Sequence, residues 1–223
     1  AFILTAAMLT TLAAPAFAKT WHIEDGNITI SAGTEAGTNK VEQTGKETVE
    51  NDRDTIITNR NEGTASSNTV TIDANGKNDK VEVTLKDVNI DTSSRNKAAV
   101  SVTGEGDTNI KLNGDNALKS DTYRSGIYGS GSLTISGGEN DSLTAQGGSG
   151  ADGIYSSGSL TISGGTVTAN GDDGGRGIYS RGGVTISGGD GICSSGGVTI
   201  SGGSTVTANG GNGGSIGGGS GIY

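Results

Sequence analysis

The sequence predicts an all-β fold: a right-handed parallel β-helix with about three short strands per coil and little or no helix after residue 18. The first observation behind this prediction is a repeat. Near-copies of GIYSSGSLTISGGTVTANG begin at Gly126, Gly153, Gly177 and Gly191, and a last GIY begins at Gly221. The starts are 27, 24, 14 and 30 residues apart. Spacings of this size are typical of solenoids built from one stacked unit.

The second observation is strict alternation inside each unit. An Ile-Tyr step is followed by Leu-Thr-Ile or Val-Thr-Ile and then by Val-Thr-Ala. A period of two places neighbouring side chains on opposite faces, so Leu160, Ile162 and Val167 are expected inside. By the same rule we expect three threonines outside: Thr161, Thr166 and Thr168. Gly-Gly, Ser-Gly and Asn-Gly separate the runs and can supply the positive φ that corners need.

The third observation is a hydrophobic position that recurs in every unit. One unit cannot bury its small apolar stripes, but stacked units can bury them as ladders in a narrow core. The isoleucines expected to form one such ladder are Ile127, Ile154, Ile178, Ile192 and Ile222. A disordered Gly-Ser segment is the alternative, and it predicts no fixed hydrophobic positions.

Composition agrees with a thin-cored solenoid. The chain has 223 residues, 4% aromatic residues, 42 glycines and a formal net charge of −9. Lys and Arg are outnumbered 15 to 24 by Asp and Glu and form no basic stripe, which argues against a nucleic-acid partner.

The chain divides into four segments. Residues 1–18 are apolar and end in Ala16-Phe17-Ala18, the pattern of a signal peptide and its cleavage site, so we expect a secreted or cell-surface protein with no membrane span once the signal is removed. Residues 19–68 are expected to form an N-terminal cap and irregular first coils. Residues 69–125 are expected to form degenerate coils, and residues 126–223 regular glycine-rich coils. The sequence has the features of a fragment, incomplete at both ends.

The degenerate half contains short alternating runs bounded by Asn, Asp and Gly, which predict strands. They are Ile28–Ile30, Thr55–Thr58, Thr69–Ile72, Val81–Leu85, Val88–Ile90, Ala99–Val102 and Asn109–Leu112. The stretch WHIEDGNITI is expected to be the first strand, with Trp21 as a capping aromatic. The stretch from Thr34 to Asn68 is either a protruding loop or a loosely wound cap, because an uncovered end coil would expose unpaired strand edges.

The short step from Gly177 to Gly191 lacks the Val-Thr-Ala strand and its turn. We expect this deletion to disturb one coil through a bulged wall or a slip in register, unless Gly182 to Gly197 spreads to close the gap.

A column of tyrosines is the first candidate for function. Each of Tyr128, Tyr155, Tyr179 and Tyr223 follows an inward isoleucine, so alternation turns it outward. Equivalent residues on successive coils lie about 4.8 Å apart. The column is a candidate platform for stacking sugar rings. The alternative is that the rings stack on one another and shield the wall.

Acidic corners are the second candidate. The segment GGSGADGIY fits the nonapeptide pattern of calcium-binding repeats, and Asp152, Asp172 and Asp173 are candidate calcium ligands. That pattern needs tandem nine-residue copies, so a chance match in glycine-rich sequence is the alternative. No cofactor is required, and calcium is the one considered.

Catalytic residues are not predicted. Cys193 stands where other units carry Tyr, and His22 is the single histidine, far from it in the sequence. Polysaccharide lyases and glycoside hydrolases with β-helix folds need closely paired carboxylates, or calcium with a basic residue. Here the acids are scattered over corners, so a carbohydrate-active enzyme is kept as an alternative only.

The chain resembles the secreted β-helical carbohydrate-binding domain proteins of anaerobic and gut bacteria. The resemblance is carried by VEVTLKDVNID from Val81, AAVSV from Ala98, NIKLNGDNAL from Asn109 and the GIYSSGSLTISGGTVTANG units. It covers most of Asn68 to Tyr223. It implies a pectate-lyase-like parallel β-helix with bound calcium that binds polysaccharide. Members often carry Lys and Asp where this chain has Ser and Gly after the Ile-aromatic step.

Together these features lead us to expect a non-catalytic, secreted or cell-surface protein that binds plant or bacterial cell-wall polysaccharide. The first alternative is a structural stalk or adhesin segment of a larger surface protein. The second is a polysaccharide lyase or glycoside hydrolase of the β-helix class.

Overall fold

The protein is a β-solenoid of about 5 turns, and its described residues are nearly all β, with 54% in strands and 2% in helix. The computed structural model describes residues 19–61, 63–187, 193–194, 198–200 and 205–209, and side chains within 19–61 and 63–185. The predicted signal peptide, Ile192, Ile222 and Tyr223 lie outside the described residues. The predicted all-β class and the parallel stacking of coils are confirmed.

Three sheets form the walls, and successive coils add parallel strands to them in turn, with fewer strands in the third sheet than in the other two. Sheet I contains β2 (Ile28–Ala32), β3 (Asn39–Gln43), β4 (Val49–Asp52), β6 (Val70–Ala74), β9 (Val100–Gly104), β12 (Ile127–Gly129), β15 (Ile154–Ser156), β18 (Ile178–Ser180) and β20 (Cys193–Ser194). Sheet II contains β1 (Lys19–His22), β5 (Thr55–Thr58), β7 (Lys80–Lys86), β10 (Asp107–Asn113), β13 (Ser132–Ser136), β16 (Leu160–Ser163), β19 (Val184–Ser187) and β21 (Val198–Ile200). Sheet III contains β8 (Asn89–Asp91), β11 (Asp115–Lys119), β14 (Ser142–Ser149), β17 (Thr166–Asp172) and β22 (Thr205–Asn209).

The predicted inward ladder is confirmed where the structure describes it. Ile127 pairs with Ile154 and Ile154 with Ile178, and all three side chains have 0% exposure. Leu160, Ile162 and Val167 are also buried, while the alternating threonines of β16 and β17 are exposed or half-buried. Small apolar residues from all three sheets therefore share one continuous core.

The N-terminal end differs from the prediction. The stretch expected to be one strand is divided: β1 ends at His22, a 3₁₀ turn spans Ile23–Asp25, and β2 begins at Ile28. Downstream, β3 and β4 pair antiparallel beside β2 and cover the edge of sheet I. An added hairpin of this kind prevents the first coil from pairing with another chain. The 3₁₀ turn is the one helical segment in the described part of the chain, and it is far too short to cross a membrane.

Buried polar side chains attach this hairpin to the coils. Asn39 donates its amide to the carbonyl oxygen of Glu82 at 2.6 Å, and Gln43 donates to that of His22 at 2.7 Å. The buried Trp21 indole donates to Oδ2 of Asp52 at 2.9 Å. The cap is therefore held by specific hydrogen bonds as well as by apolar contact.

Sheet III omits one strand at the short unit. In sheet I β18 pairs with β20, and in sheet II β19 pairs with β21, so both sheets include a strand from the short unit and one from the unit after it. In sheet III β17 pairs directly with β22. The register of this pair runs from Thr166 opposite Thr205 to Asn170 opposite Asn209. The described pairing shows no slip in register. The deletion is therefore accommodated by a missing strand in one wall only.

Candidate functional site

A file of outward side chains runs along sheet I. In order along the axis, paired residues in this file are Thr29, Thr71, Ser101, Tyr128, Tyr155 and Tyr179. The backbone of Cys193 pairs with Tyr179 and extends the file in the other direction. Small hydroxyl side chains thus occupy one half of the file and aromatic rings the other.

The tyrosine rings stack on one another. The centroids of Tyr128 and Tyr155 are 5.1 Å apart with planes 2° from parallel, and those of Tyr155 and Tyr179 are 5.5 Å apart at 48°. The guanidinium carbon of Arg176 lies 4.3 Å from the ring centroid of Tyr179, a cation–π contact. The faces between successive rings are therefore already occupied by protein groups.

Tyr128 ends the stack, and one of its faces is open. The next positions in the file are Ser101 and Thr71, which are too small to continue the stack. The ring remains 43% exposed. Beside it lies a groove of about 660 Å³ whose lining includes Thr71, Ser101, Tyr128 and Tyr155. The groove occupies the space that aromatic residues at positions 101 and 71 would fill.

The other side of the groove is formed by the corner loops between sheets III and I. These loops are residues 92–99, 120–126, 150–153 and 173–177, and we call them the lip. The lip residues with polar or aromatic side chains that line the groove are Asn96, Lys97, Tyr123, Arg124, Ser125 and Asp152. Arg124 donates from Nε and an Nη to Oδ1 of Asn96 at 3.3 and 3.2 Å. Within the described residues Lys97 and Arg124 form no ion pair, so the rim carries two cations that are not neutralised by a carboxylate.

A shallower extension continues the groove towards the cap. It has a volume of about 390 Å³, shares Thr69, Thr71 and Lys97 with the main groove, and reaches Glu42 and Gln43 on β3. Hydroxyl and amide groups dominate its lining. The two cavities together give a polar trough with one aromatic end, at Tyr128.

The structure places the candidate calcium ligands at or beside the lip. The backbone N–H of Arg176 donates to Oδ1 of Asp152 at 2.7 Å, and burial raises the pKa of this carboxyl above its usual value. The Ser149 hydroxyl donates to Oδ2 of Asp173 at 3.0 Å. Asp172 pairs with Ser149 in the ladder, and its amide donates to the carbonyl oxygen of Ala151 at 3.2 Å.

Calcium binding by these three carboxylates stays a prediction. Calcium takes six to eight oxygen ligands, several of them charged. In the described part of the chain, no three acidic, histidine or cysteine side chains converge in an arrangement suited to a metal. Asp152 and Asp173 instead accept hydrogen bonds from the adjoining coil or strand.

The sequence interpretation identified the tyrosine column but missed the lip. Tyr123, Lys97 and Arg124 lie outside the repeated units, and alternation says nothing about residues in corners. One signal was available. Tyr123 stands four residues before Ile127, whereas glycines stand four residues before Ile154 and Ile178. An aromatic residue in place of a corner glycine is unusual enough to mark a site.

Comparison of the chain with protein-family models, with curated proteins and with solved structures finds no match in any of the three.

Proposed function

We propose that this solenoid is a non-catalytic polysaccharide-binding protein, secreted or displayed on the cell surface, whose binding site is the groove beside Tyr128. The observation that carries the proposal is the open face of Tyr128 above the small side chains at positions 101 and 71. Sugar rings present C–H groups that pack well on an aromatic face, and their hydroxyls need polar partners at the edges. The groove offers both.

The geometry restricts where the tyrosine column can act. Because Tyr155 lies between two rings and Tyr179 lies under Arg176, neither offers a free face comparable with that of Tyr128. Binding is therefore concentrated at one end of the column, and the inner rings support Tyr128 from behind. The resemblance to secreted β-helical carbohydrate-binding domain proteins supports the same ligand class.

Retention of the purified protein on insoluble polysaccharides tests the proposal. Tyr128→Ala is expected to weaken retention by about 1 kcal/mol, roughly fivefold in Kd, because it removes the stacking surface. Tyr179→Ala is the matched control, since it deletes a ring of the same column that has no open face. Equal losses for the two variants would contradict a site at Tyr128.

A structural stalk is the second candidate, and the mutual stacking of the rings favours it. A continuous column closed by Arg176 stabilises the outer wall without any ligand. This alternative predicts that no glycan retains the protein and that Tyr128→Ala only lowers thermal stability.

A further inference from the structure

Each described corner of the lip has a residue in the left-handed backbone region at the same place in the corner. Counting back four residues from the paired inward positions Val100, Ile127, Ile154 and Ile178 gives the four residues concerned. They are Asn96 (φ 53°), Tyr123 (φ 58°), Gly150 (φ 75°) and Gly174 (φ 96°). Every described corner therefore has a positive φ at this place, and the last corner has a second one at Asp173 (φ 38°).

Tyr123 is the exceptional residue in this series. It is the third residue of a four-residue turn closed by the N–H of Arg124 on the carbonyl of Asp121 at 2.9 Å. Gly150 and Gly174 occupy the same place in the turns closed by Ala151 and Gly175. Turns with a positive φ at the third residue favour Gly or Asn, and a bulky aromatic residue there is strained.

Burial does not compensate for this strain. The Tyr123 side chain is 79% exposed, so folding gains little from its apolar surface. The ring rests on the next coil, with Cε1 and Cδ1 at 2.9 and 3.0 Å from the position that a Cβ on Gly150 would occupy. The absence of a side chain at Gly150 thus leaves the Tyr123 ring room to lie at the groove.

We infer that Tyr123 is the second aromatic surface of the saccharide site, contacting the bound pyranose from the lip while Tyr128 contacts it from the wall. The inference rests on the proposed function. Tyr123 and Tyr128 are the two exposed large hydrophobic side chains among the residues whose side chains are described, and both line the same groove. Strain retained at an exposed residue indicates a role other than folding.

The test compares Tyr123→Asn with Tyr123→Phe in the full chain. Asn is the residue that the preceding coil carries at this place, so Tyr123→Asn is expected to raise the midpoint of thermal unfolding by about 2 °C. The same variant is expected to weaken binding to soluble glucans, xylans, mannans or pectins about fivefold in affinity electrophoresis, because a stacking surface is lost. Tyr123→Phe keeps the ring and is expected to bind within about twofold of the wild type.

Two outcomes would overturn this inference without touching the proposed function. The first is that Tyr123→Asn binds as tightly as the wild type while Tyr128→Ala loses binding. The second is that Tyr123→Asn lowers the midpoint of thermal unfolding, which would make the Tyr123 ring a structural element. If the wild-type protein binds no member of the panel, the proposed function fails and this inference fails with it. Because the thermal measurement needs no ligand, the two failures are distinguishable.

Discussion

Residues 19–125 and residues 126–185 differ in how often ion pairs and close glycine packing stabilise their coils. All seven ion pairs of the described residues lie in the first region, and they involve residues from Asp25 to Lys119. Carboxylates accept hydrogen bonds from corner amides in both regions: Asp79 accepts from Gly76 at 2.8 Å in the first, and Asp141 accepts from Gly138 at 2.6 Å in the second. Close packing of glycine on backbone atoms of a neighbouring coil occurs in both regions, as at Gly104 in the first, but at more positions in the second.

Glycine usage follows this division, since 9 of the 42 glycines precede residue 126. At Gly175 an added Cβ would lie 1.8 Å from the carbonyl oxygen of Ala151, and at Gly153 it would lie 2.5 Å from the amide nitrogen of Asn170. A corner that is stabilised by side chains can be built from many residue types. A corner whose backbone contacts the neighbouring coil closely has room for glycine only. The regular repeats are therefore the more constrained half.

The largest expected effect comes from adding one methyl group to a regular corner. Gly175→Ala is expected to lower the free energy of unfolding by about 3 kcal/mol, because backbone atoms of the neighbouring coil must move. Denaturant unfolding measures it. Gly63→Ala in the first region is the matched control: its nearest atom, Oδ1 of Asn61, is 3.5 Å away, so we expect a change within about 0.5 kcal/mol. Equal effects would remove the proposed difference between the halves.

A smaller effect is expected from the cap. Asp52 is fully buried and accepts hydrogen bonds from the Trp21 indole at 2.9 Å and the Lys19 amide at 3.2 Å. Asp52→Ala leaves the buried indole N–H without a partner and is expected to cost about 2 kcal/mol in unfolding free energy. Asp52→Asn retains an acceptor oxygen and should cost less than half as much. If the two variants are equally destabilised, packing rather than hydrogen bonding fixes the cap.

The smallest effect is a pH response of opposite sign in the two halves. In the first region, hydrogen bonding to Arg60 holds the pKa of Asp25 well below its usual value, and Lys46 contributes to this shift. In the second region, burial raises the pKa of Asp152 above its usual value. The stability from Asp25 is present above about pH 4 and is lost as the pH falls below that value. For Asp152 protonation favours the folded state, so its region gains stability as the pH falls through the raised pKa.

Hydrogen-exchange free energies, corrected for intrinsic rates, measure this response segment by segment. Between neutral pH and about pH 4 we expect rising protection near Asp152 and no loss near Asp25. Below about pH 4 protection near Asp25 should fall. Asp25→Asn should abolish the pH dependence of protection near residue 25, and Asp152→Asn should abolish it near residue 152. If the pH dependence persists in either variant, another titratable group causes it.

The fold could be predicted from the sequence wherever alternation was regular. The ladder of Ile127, Ile154 and Ile178 follows from period two and a recurring unit, and the structure confirms it. β11 was missed because an inward polar residue, Asn116, interrupts its pattern. Asn116 is buried and accepts the Val88 amide at 3.0 Å. Alternation of hydrophobic residues cannot find a strand whose inward side chain is stabilised by a hydrogen bond.

The candidate site was predictable in part. Outward placement of Tyr128, Tyr155 and Tyr179 followed from alternation, but which ring keeps an open face depends on the neighbours along the axis. The lip depends on corner dihedral angles, and short-range sequence patterns identify such angles mainly when Gly or Asn is present. Tyr123 adopts a positive φ without either residue, so its alignment with Gly150 and Gly174 was the one sequence signal for its position.

The strand missing from sheet III has a consequence for the path of the solenoid. Each added strand advances a wall by about 4.8 Å, and between β17 and β22 sheet III advances once while the other two walls advance twice. Unequal advance on three sides acts as a wedge, so we expect the axis to bend towards sheet III at this coil. Any coils that follow then point in a new direction, and a single short repeat sets the angle at which they project.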